Sequence, residues 1–551
     1  MGSSPVNSPT PPAGYGRRQV FAVLSGLLLA TFVASLDVTV VGAALYRIGE
    51  SLHGLTAQAW VTTAFLIAAT ISVPVWGKLS DTRGRKPLFL ASIAVFLAGS
   101  ALCAFAVSMP MLAACRAFQG LGAGGMLGLT SAVLGDIVPP RERGRYGAYF
   151  VTAYAVASVA GPVTGGALAG QRTLLGVDGW RWIFLINLPV GLIACAVIAR
   201  VLRPGPPRPR GRRVDLPGTV TLVIAVMPLL LVAERGQAWG WAAPASVACY
   251  AIGAAGTAGF LTAERRAGDH ALIALRLFRN RGFAVGAGQS LVSNAGMFAT
   301  IVLLPLYLQL VRGYSPAAAG LLMLPQVAGT LAGSVTAGQF TTRTGRYKIM
   351  PVTGSMLMLA GTLLLSRLTV TTPLPYAGAV LFVIGAGSTL YAQTITLSMQ
   401  NALPQADLGV ATGSNTFFRQ IGGTAGVALF LSLTYSAAGG AIRSAYAAAS
   451  TAAGTAPAFR AAAARPGQAG LLRLASAGGQ PALNNPAFLA RMAPALAQPF
   501  RQGFTGALDV AFLAAAAVMA AALLLALSIR ELPLRTTVAA PAPSPAEPAA
   551  R

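Results

Sequence analysis

Fourteen mostly apolar stretches recur along the chain, near 20–45, 59–77, 88–108, 110–134, 147–169, 181–201, 216–233, 244–262, 283–311, 316–337, 349–366, 376–399, 409–432 and 506–529. About 20 such residues cross the hydrocarbon of a bilayer as a helix, which satisfies its own backbone polar groups where no water can. The expected fold is therefore an all-α polytopic membrane protein. With 55% hydrophobic and only 10% charged residues, the chain cannot clothe a soluble globule, where about a quarter of residues are charged. A soluble enzyme, a disordered chain and a fibrous protein are excluded.

An even number of spans puts both termini on one side, and the positive-inside rule selects that side. With the N-terminus in the cytoplasm, 26 of the 40 Lys and Arg fall in inner segments. Only six, Arg47, Arg172, Arg181, Arg235, Arg312 and Arg367, fall in short outer loops. Six more lie in a long outer loop, 433–505, whose few apolar patches are read as short surface helices at most, and Arg116 and Arg419 lie inside spans. This asymmetry accounts for the net charge of +26 without a nucleic-acid partner. The expected location is the cytoplasmic membrane, with both termini cytoplasmic. Cys103, Cys115, Cys195 and Cys249 sit in apolar runs at no metal or disulfide spacing. His53 and His270 lie in loops and form neither a metal site nor a triad. A phosphate-binding Walker loop is missing from the sequence, which argues against direct ATP drive. No cofactor is expected.

The hairpin after the second span reads Gly77-Lys78-Leu79-Ser80-Asp81-Thr82-Arg83-Gly84-Arg85-Lys86, and the one after the tenth runs from Gly338 to Lys348. Gly77 and Gly338, Gly84 and Gly345, and Arg85 and Arg346 match at one constant offset. Equivalent loops on one side imply parallel repeats of even helix number. The expected organisation is a polar tail (1–19), a six-helix bundle (20–202), a basic Pro-rich inner linker (203–214), and two extra spans (215–263). An inner loop (264–282), a second six-helix bundle (283–529) containing the 433–505 loop, and a tail (530–551) complete it. Such a 6+2+6 chain of two pseudo-symmetric bundles can rock one bundle against the other.

The Gly77–Lys86 hairpin resembles the signature loop of the major facilitator superfamily. Arg116-Ala117-Phe118-Gln119-Gly120-Leu121-Gly122-Ala123-Gly124 resembles that superfamily's second motif, and Gly161-Pro162-Val163-Thr164-Gly165-Gly166 its antiporter motif. Leu36-Asp37-Val38-Thr39-Val40-Val41, the run from Trp180 to Pro189, and Leu277-Phe278-Arg279-Asn280 are similar to the 14-spanning drug:proton antiporters of the EmrB/QacA type. The chain departs from these patterns at Gly42, Tyr46, Ala157 and Thr342. The resemblance implies the major facilitator fold and proton-driven drug export.

Asp37 is the one acid placed clearly within a span, and an ionisable group in hydrocarbon marks a pathway by default. It is read either as the proton-coupling carboxyl, the role the resemblance also implies, or as a structural carboxylate bonded to a neighbouring helix. Arg116 lies at a similar depth, about 10 Å from the outer surface at 1.5 Å per residue. It is expected to pair with Asp37, as a modulator of its proton or as a static ion pair. Gln119, one turn away, joins that network or serves as interhelical glue. Gly161 and Pro162, with Gly165 and Gly166, are expected to bend the fifth span and bare one face, which is a leak-proof seal or plain packing. Gly77, Asp81, Arg83, Gly84, Arg85 and Lys86, with Asp136, are expected to form an inner gate cluster, or a topology anchor. Arg419 is assigned first to structure, and otherwise to reaching Asp37 or holding an anionic substrate group. Gln289, Asn294, Phe298, Tyr307, Gln326, Tyr391, Gln393, Asn415 and Phe418 are candidates for a substrate cavity of mixed apolar and amide lining.

The function expected is a proton-coupled efflux transporter for small amphipathic drugs or antibiotics, acting as a monomer by alternating access. The alternatives are a major facilitator transporter of another metabolite or lipid, a membrane-embedded enzyme, and a sensor. The acid or histidine clusters an enzyme needs are not apparent in the sequence.

Overall fold

The computed structural model describes residues 16–53, 58–138, 140–171, 173–203, 215–268, 271–314, 316–404, 407–477 and 486–533. The sequence-derived linker 203–214 lies outside these apart from Arg203, as do both tails for most of their length. The described residues contain twelve helices long and apolar enough to cross a membrane and two shorter apolar ones, Pro217–Ala233 and Ile349–Leu365.

The first group comprises α1 (Arg17–Ser51), α2 (Gln58–Arg83), α3 (Arg85–Ala104), α4 (Met109–Ile137) and α5 (Pro140–Gly170), followed by α6 (Trp182–Leu185) and α7 (Asn187–Val201). Short polar and glycine signals separate them. Gly84 turns the chain between α2 and α3 with φ of 93°, a value that side chains with a Cβ rarely adopt. Ser108 caps α4 by accepting from the Met111 amide. Between α5 and α6 the chain forms a two-stranded hairpin, β1 (Thr173–Leu174) and β2 (Val177–Asp178). The sequence reading had no strand there. Its turn residues Leu175 and Gly176 both have positive φ, the geometry that suits a two-residue hairpin loop.

Next come α8 (Leu216–Trp239) and α9 (Pro244–Ala267), which pack chiefly on each other, with α8 also touching α2. The remaining helices are α10 (Arg281–Leu306), α11 (Pro316–Leu321), α12 (Leu324–Thr344), α13 (Ile349–Leu365), α14 (Leu374–Ala402), α15 (Leu408–Thr451), α16 (Ala456–Ala463), α17 (Gln468–Ala477) and α18 (Pro494–Leu527). The last turn of α10 continues as a π-helix over 307–311.

Packing within each group relies on small residues. A Cβ on Gly124 would strike the Ala69 carbonyl of α2, and one on Gly426 the Ala295 carbonyl of α10. Bare glycine faces let backbones approach where lipid offers no hydrophobic drive to associate. Between the groups, α5 packs on α12 and α2 on α15.

The 433–505 segment is more helical than its Ala/Gly/Pro-rich sequence suggested. α15 runs on to Thr451 and α18 begins at Pro494. These extensions share a core with the short helices between them: Tyr446 stacks edge-on against Phe459 and donates to the Leu496 carbonyl at 2.8 Å.

Candidate functional site

Asp37 lies in the middle of α1 and is 1% exposed. Its Oδ2 accepts from Arg116 Nη1 of α4. Its Oδ1 accepts from Gln119 Nε2 at 2.9 Å and from Asn187 Nδ2 at 2.7 Å. Arg116, also 1% exposed, donates to Gln119 Oε1 at 2.8 Å and to the Val61 carbonyl of α2 at 3.3 Å. Its guanidinium lies 4.0 Å from the centroid of the Phe65 ring. Asn187 also donates to Ser100 Oγ of α3 at 3.0 Å, and Ser100 donates to the Phe184 carbonyl. One carboxylate thus ties together α1, α2, α3, α4 and the start of α7. A buried ion pair is tolerated when its remaining lone pairs and protons are satisfied, and here both carboxylate oxygens of Asp37 and the Nε and Nη1 of Arg116 are bonded. Asp37 is buried, and all its hydrogen-bond partners belong to the first helix group. The sequence reading paired Asp37 with Arg116 and Gln119, but it did not single out Asn187 or Ser100.

The hairpin between α2 and α3 forms a second cluster. Arg85 bridges Asp81, at 2.7 Å, and Asp136 of α4, at 3.0 Å, and donates to Ser80 Oγ. Asp81 Oδ2 accepts from the Val410 amide in the first turn of α15 at 3.0 Å, where a helix presents unsatisfied N–H groups and favours an anion. Gly77 faces Gly409 of α15 so closely that a Cβ on it would lie 3.0 Å from the Gly409 carbonyl oxygen. Arg83 and Lys86 stand apart from this cluster: neither has an ion pair among the described residues, and Arg83 is exposed. Two further links that the sequence did not suggest sit at the same end. Arg143 of α5 donates to Gln400 of α14 at 2.8 Å, and Arg276 pairs with Asp407 at 3.1 Å. The end of the molecule rich in Lys and Arg is therefore latched across both helix groups.

In the antiporter-like motif, α5 runs as one helix through 161 and 162. The side chain of Pro162 lies outside the described residues. A Cβ on Gly161 would overlap Thr39 Oγ1 of α1, which donates to the Ala157 carbonyl at 3.1 Å. Gly165 is buried and Gly166 faces open space.

The cavity candidates divide. Tyr307 is buried and donates to the Thr369 carbonyl at 2.8 Å. Asn415 bonds Ser290 and Thr396, and Gln289 bonds Ser355. Gln393 donates to Ser334, Phe298 fills the space beside Gly423, and Gln326 is buried. Phe418 packs edge-on against Phe278 and Phe417. Most of these contacts join neighbouring helices, a common use of amides and rings between spans. Asn294 and Tyr391 differ, because they surround the backbone of Arg419: Asn294 Nδ2 donates to its carbonyl at 2.6 Å and Tyr391 donates to Asn294 Oδ1 at 3.2 Å. A separate cleft of about 490 Å³ opens between α5 and α12, lined by Thr152, Val156, Ala160, Val163, Thr164, Val327 and Leu331.

Two groups of membrane-spanning helices, latched at one end and bearing a charged network inside, define a helical membrane transporter. The chain belongs to the Major Facilitator Superfamily, whose family model matches residues 27–427. It is 34% identical to the multidrug transporter protein MdtP of Bacillus subtilis, over 74% of this chain and 74% of that one. It is 30% identical to multidrug resistance protein 3 of the same organism, over 74% and 78%. In fold it is similar to a double-tryptophan mutant of XylE, with a TM-score of 0.57 over 95% of this chain and 98% of that one, at 14% identity.

Proposed function

We propose that this transporter exports small amphipathic drugs or antibiotics across the cytoplasmic membrane in exchange for protons, as a monomer with both termini cytoplasmic. Its similarity to the multidrug transporter protein MdtP and to multidrug resistance protein 3 supports export of drugs. The observation that carries the mechanism is the Asp37–Arg116 pair. Protonating Asp37 removes the charge that neutralises Arg116, so uptake of one proton loosens the contact between α1 and α4. The Asp81–Val410 and Arg143–Gln400 latches close the basic end, and their release opens it. Alternation between these arrangements moves substrate one way and protons the other.

The burial of Asp37 favours a second reading, in which the pair is static and only fastens α1 to α4. Everted vesicles with an imposed proton gradient test the main reading, using fluorescent amphiphiles. Gradient-driven accumulation, and proton release on adding substrate, are expected. Accumulation that persists when the gradient is collapsed defeats proton exchange.

A further inference from the structure

We propose that Arg419, deep in α15, binds an anionic amphiphile through its carboxylate, sulfonate or phosphate, with Tyr154 of the opposite helix group nearby. The inference rests on the transporter reading and adds a substrate class to it.

Arg419 lies eleven residues into α15, about 16 Å along the helix from its start. A cation at such depth is rare and marks a substrate or ion path. Among the described residues its guanidinium has no ion pair and no hydrogen bond, and its Nε is buried without a partner. Several other arginines in and beside the spans use their N–H groups, although Arg235 Nη2 of α8 and Arg501 Nε near the start of α18 are also buried without a hydrogen bond. Arg116 holds Asp37 and the Val61 carbonyl. Arg181 holds the Ala104 and Ala106 carbonyls, and Arg312 those of Val370 and Thr372. Arg116, Arg181 and Arg312 fasten helices in that way; Arg419, deep within its span, makes no such bond among the described residues.

Among the described residues no carboxylate pairs with Arg419. Asp37 is taken by Arg116, Asp81 and Asp136 by Arg85, and Asp407 by Arg276. Asp509 on α18 makes no ion pair. The position of Arg419 is nevertheless fixed, since Asn294 and Tyr391 clamp its carbonyl to α10 and α14. Tyr391 and, on α5, Tyr154 lie within electrostatic reach of the guanidinium. Tyr154 is 57% exposed and belongs to the opposite helix group. A planar fork of N–H donors with a hydroxyl donor in its neighbourhood matches an oxyanion, which accepts from both. A cationic drug would meet the guanidinium with no free carboxylate beside it.

The test uses fluorescein and rhodamine 123, which share a xanthene ring and carry opposite charge. Fluorescence anisotropy with detergent-purified full-length protein measures binding. Fluorescein is expected to bind, with Arg419→Gln weakening it at least tenfold, Arg419→Lys restoring part of the loss, and rhodamine 123 not weakened by either. Tyr154→Phe, which leaves α15 untouched, should weaken fluorescein several-fold and carries the test if Arg419→Gln proves unstable in a thermal melt. Equal fluorescein binding by the wild type and the variants, or tighter binding of rhodamine 123 than of fluorescein, overturns the inference. Transport is scored separately in everted vesicles: failure to move either dye strikes the transporter reading, while the binding comparison alone judges the anion site.

Discussion

Asp37 is the residue on which coupling and stability diverge. Asp37→Asn keeps the shape of the side chain but leaves the Arg116 charge without its partner. Breaking a buried pair by removing one member costs about 3–5 kcal/mol, because the remaining charge stays desolvated. A lower midpoint of thermal unfolding is therefore expected on either reading. The readings separate in vesicles. If Asp37 carries the proton, the variant loses gradient-driven efflux but keeps substrate counterflow. If the pair is static, gradient-driven transport survives in whatever fraction of the protein folds. Both charges were legible in the sequence, because an Asp or Arg within an apolar run violates the composition around it. Asn187 and Ser100 were not, since neutral polar residues are common in spans and gain meaning only once a partner is seen. The lone amide in Trp182–Leu188 was the available signal.

At the scale of elements, the closest approach in the antiporter-like motif is a single glycine against a threonine. Gly161→Val places its branched carbons where Thr39 Oγ1 sits. Overpacking of this kind costs typically about 1–3 kcal/mol. The expected result is a lower unfolding midpoint in detergent together with weaker transport; a midpoint equal to wild type would show that α1 and α5 yield at this point. The sequence marked this face through its run of small residues. It did not reveal that α5 stays helical through Pro162, because the neighbours that hold a helix together across a proline are not sequence neighbours. The helical extension around Tyr446 escaped notice for a related reason: an Ala-rich stretch has helix propensity, but its Gly and Pro content reads as loop until Phe459 and Leu496 supply the packing.

For the whole molecule, the decisive feature is closure at the basic end by contacts between the two helix groups. Asp81→Asn weakens the charge-assisted bond to the Val410 amide, and Gln400→Leu removes the acceptor for Arg143. Hydrogen bonds to charged groups are each worth about 1.5–3 kcal/mol, and 1.4 kcal/mol is a tenfold change in population. The double variant is expected to shift the ensemble towards opening at that end. Spin labels on Arg83→Cys and Arg279→Cys, in a background freed of native cysteines, would report it as a longer distance. An unchanged distance distribution would mean that other contacts hold the end closed.

The sequence by itself determined the material of this protein: apolar runs that must become membrane helices, a charge asymmetry that orients them, a repeated hairpin, and the few charges that lipid would not tolerate unpaired. These follow from transfer energies, which each segment carries locally. Only the tertiary structure decided the use of each charge, because that depends on which helices meet. Arg116 is buried against a carboxylate, Arg85 bridges two, Arg143 crosses between groups, and Arg419 is left without an ion pair among the described residues. The four side chains are chemically alike, and only their neighbours distinguish them.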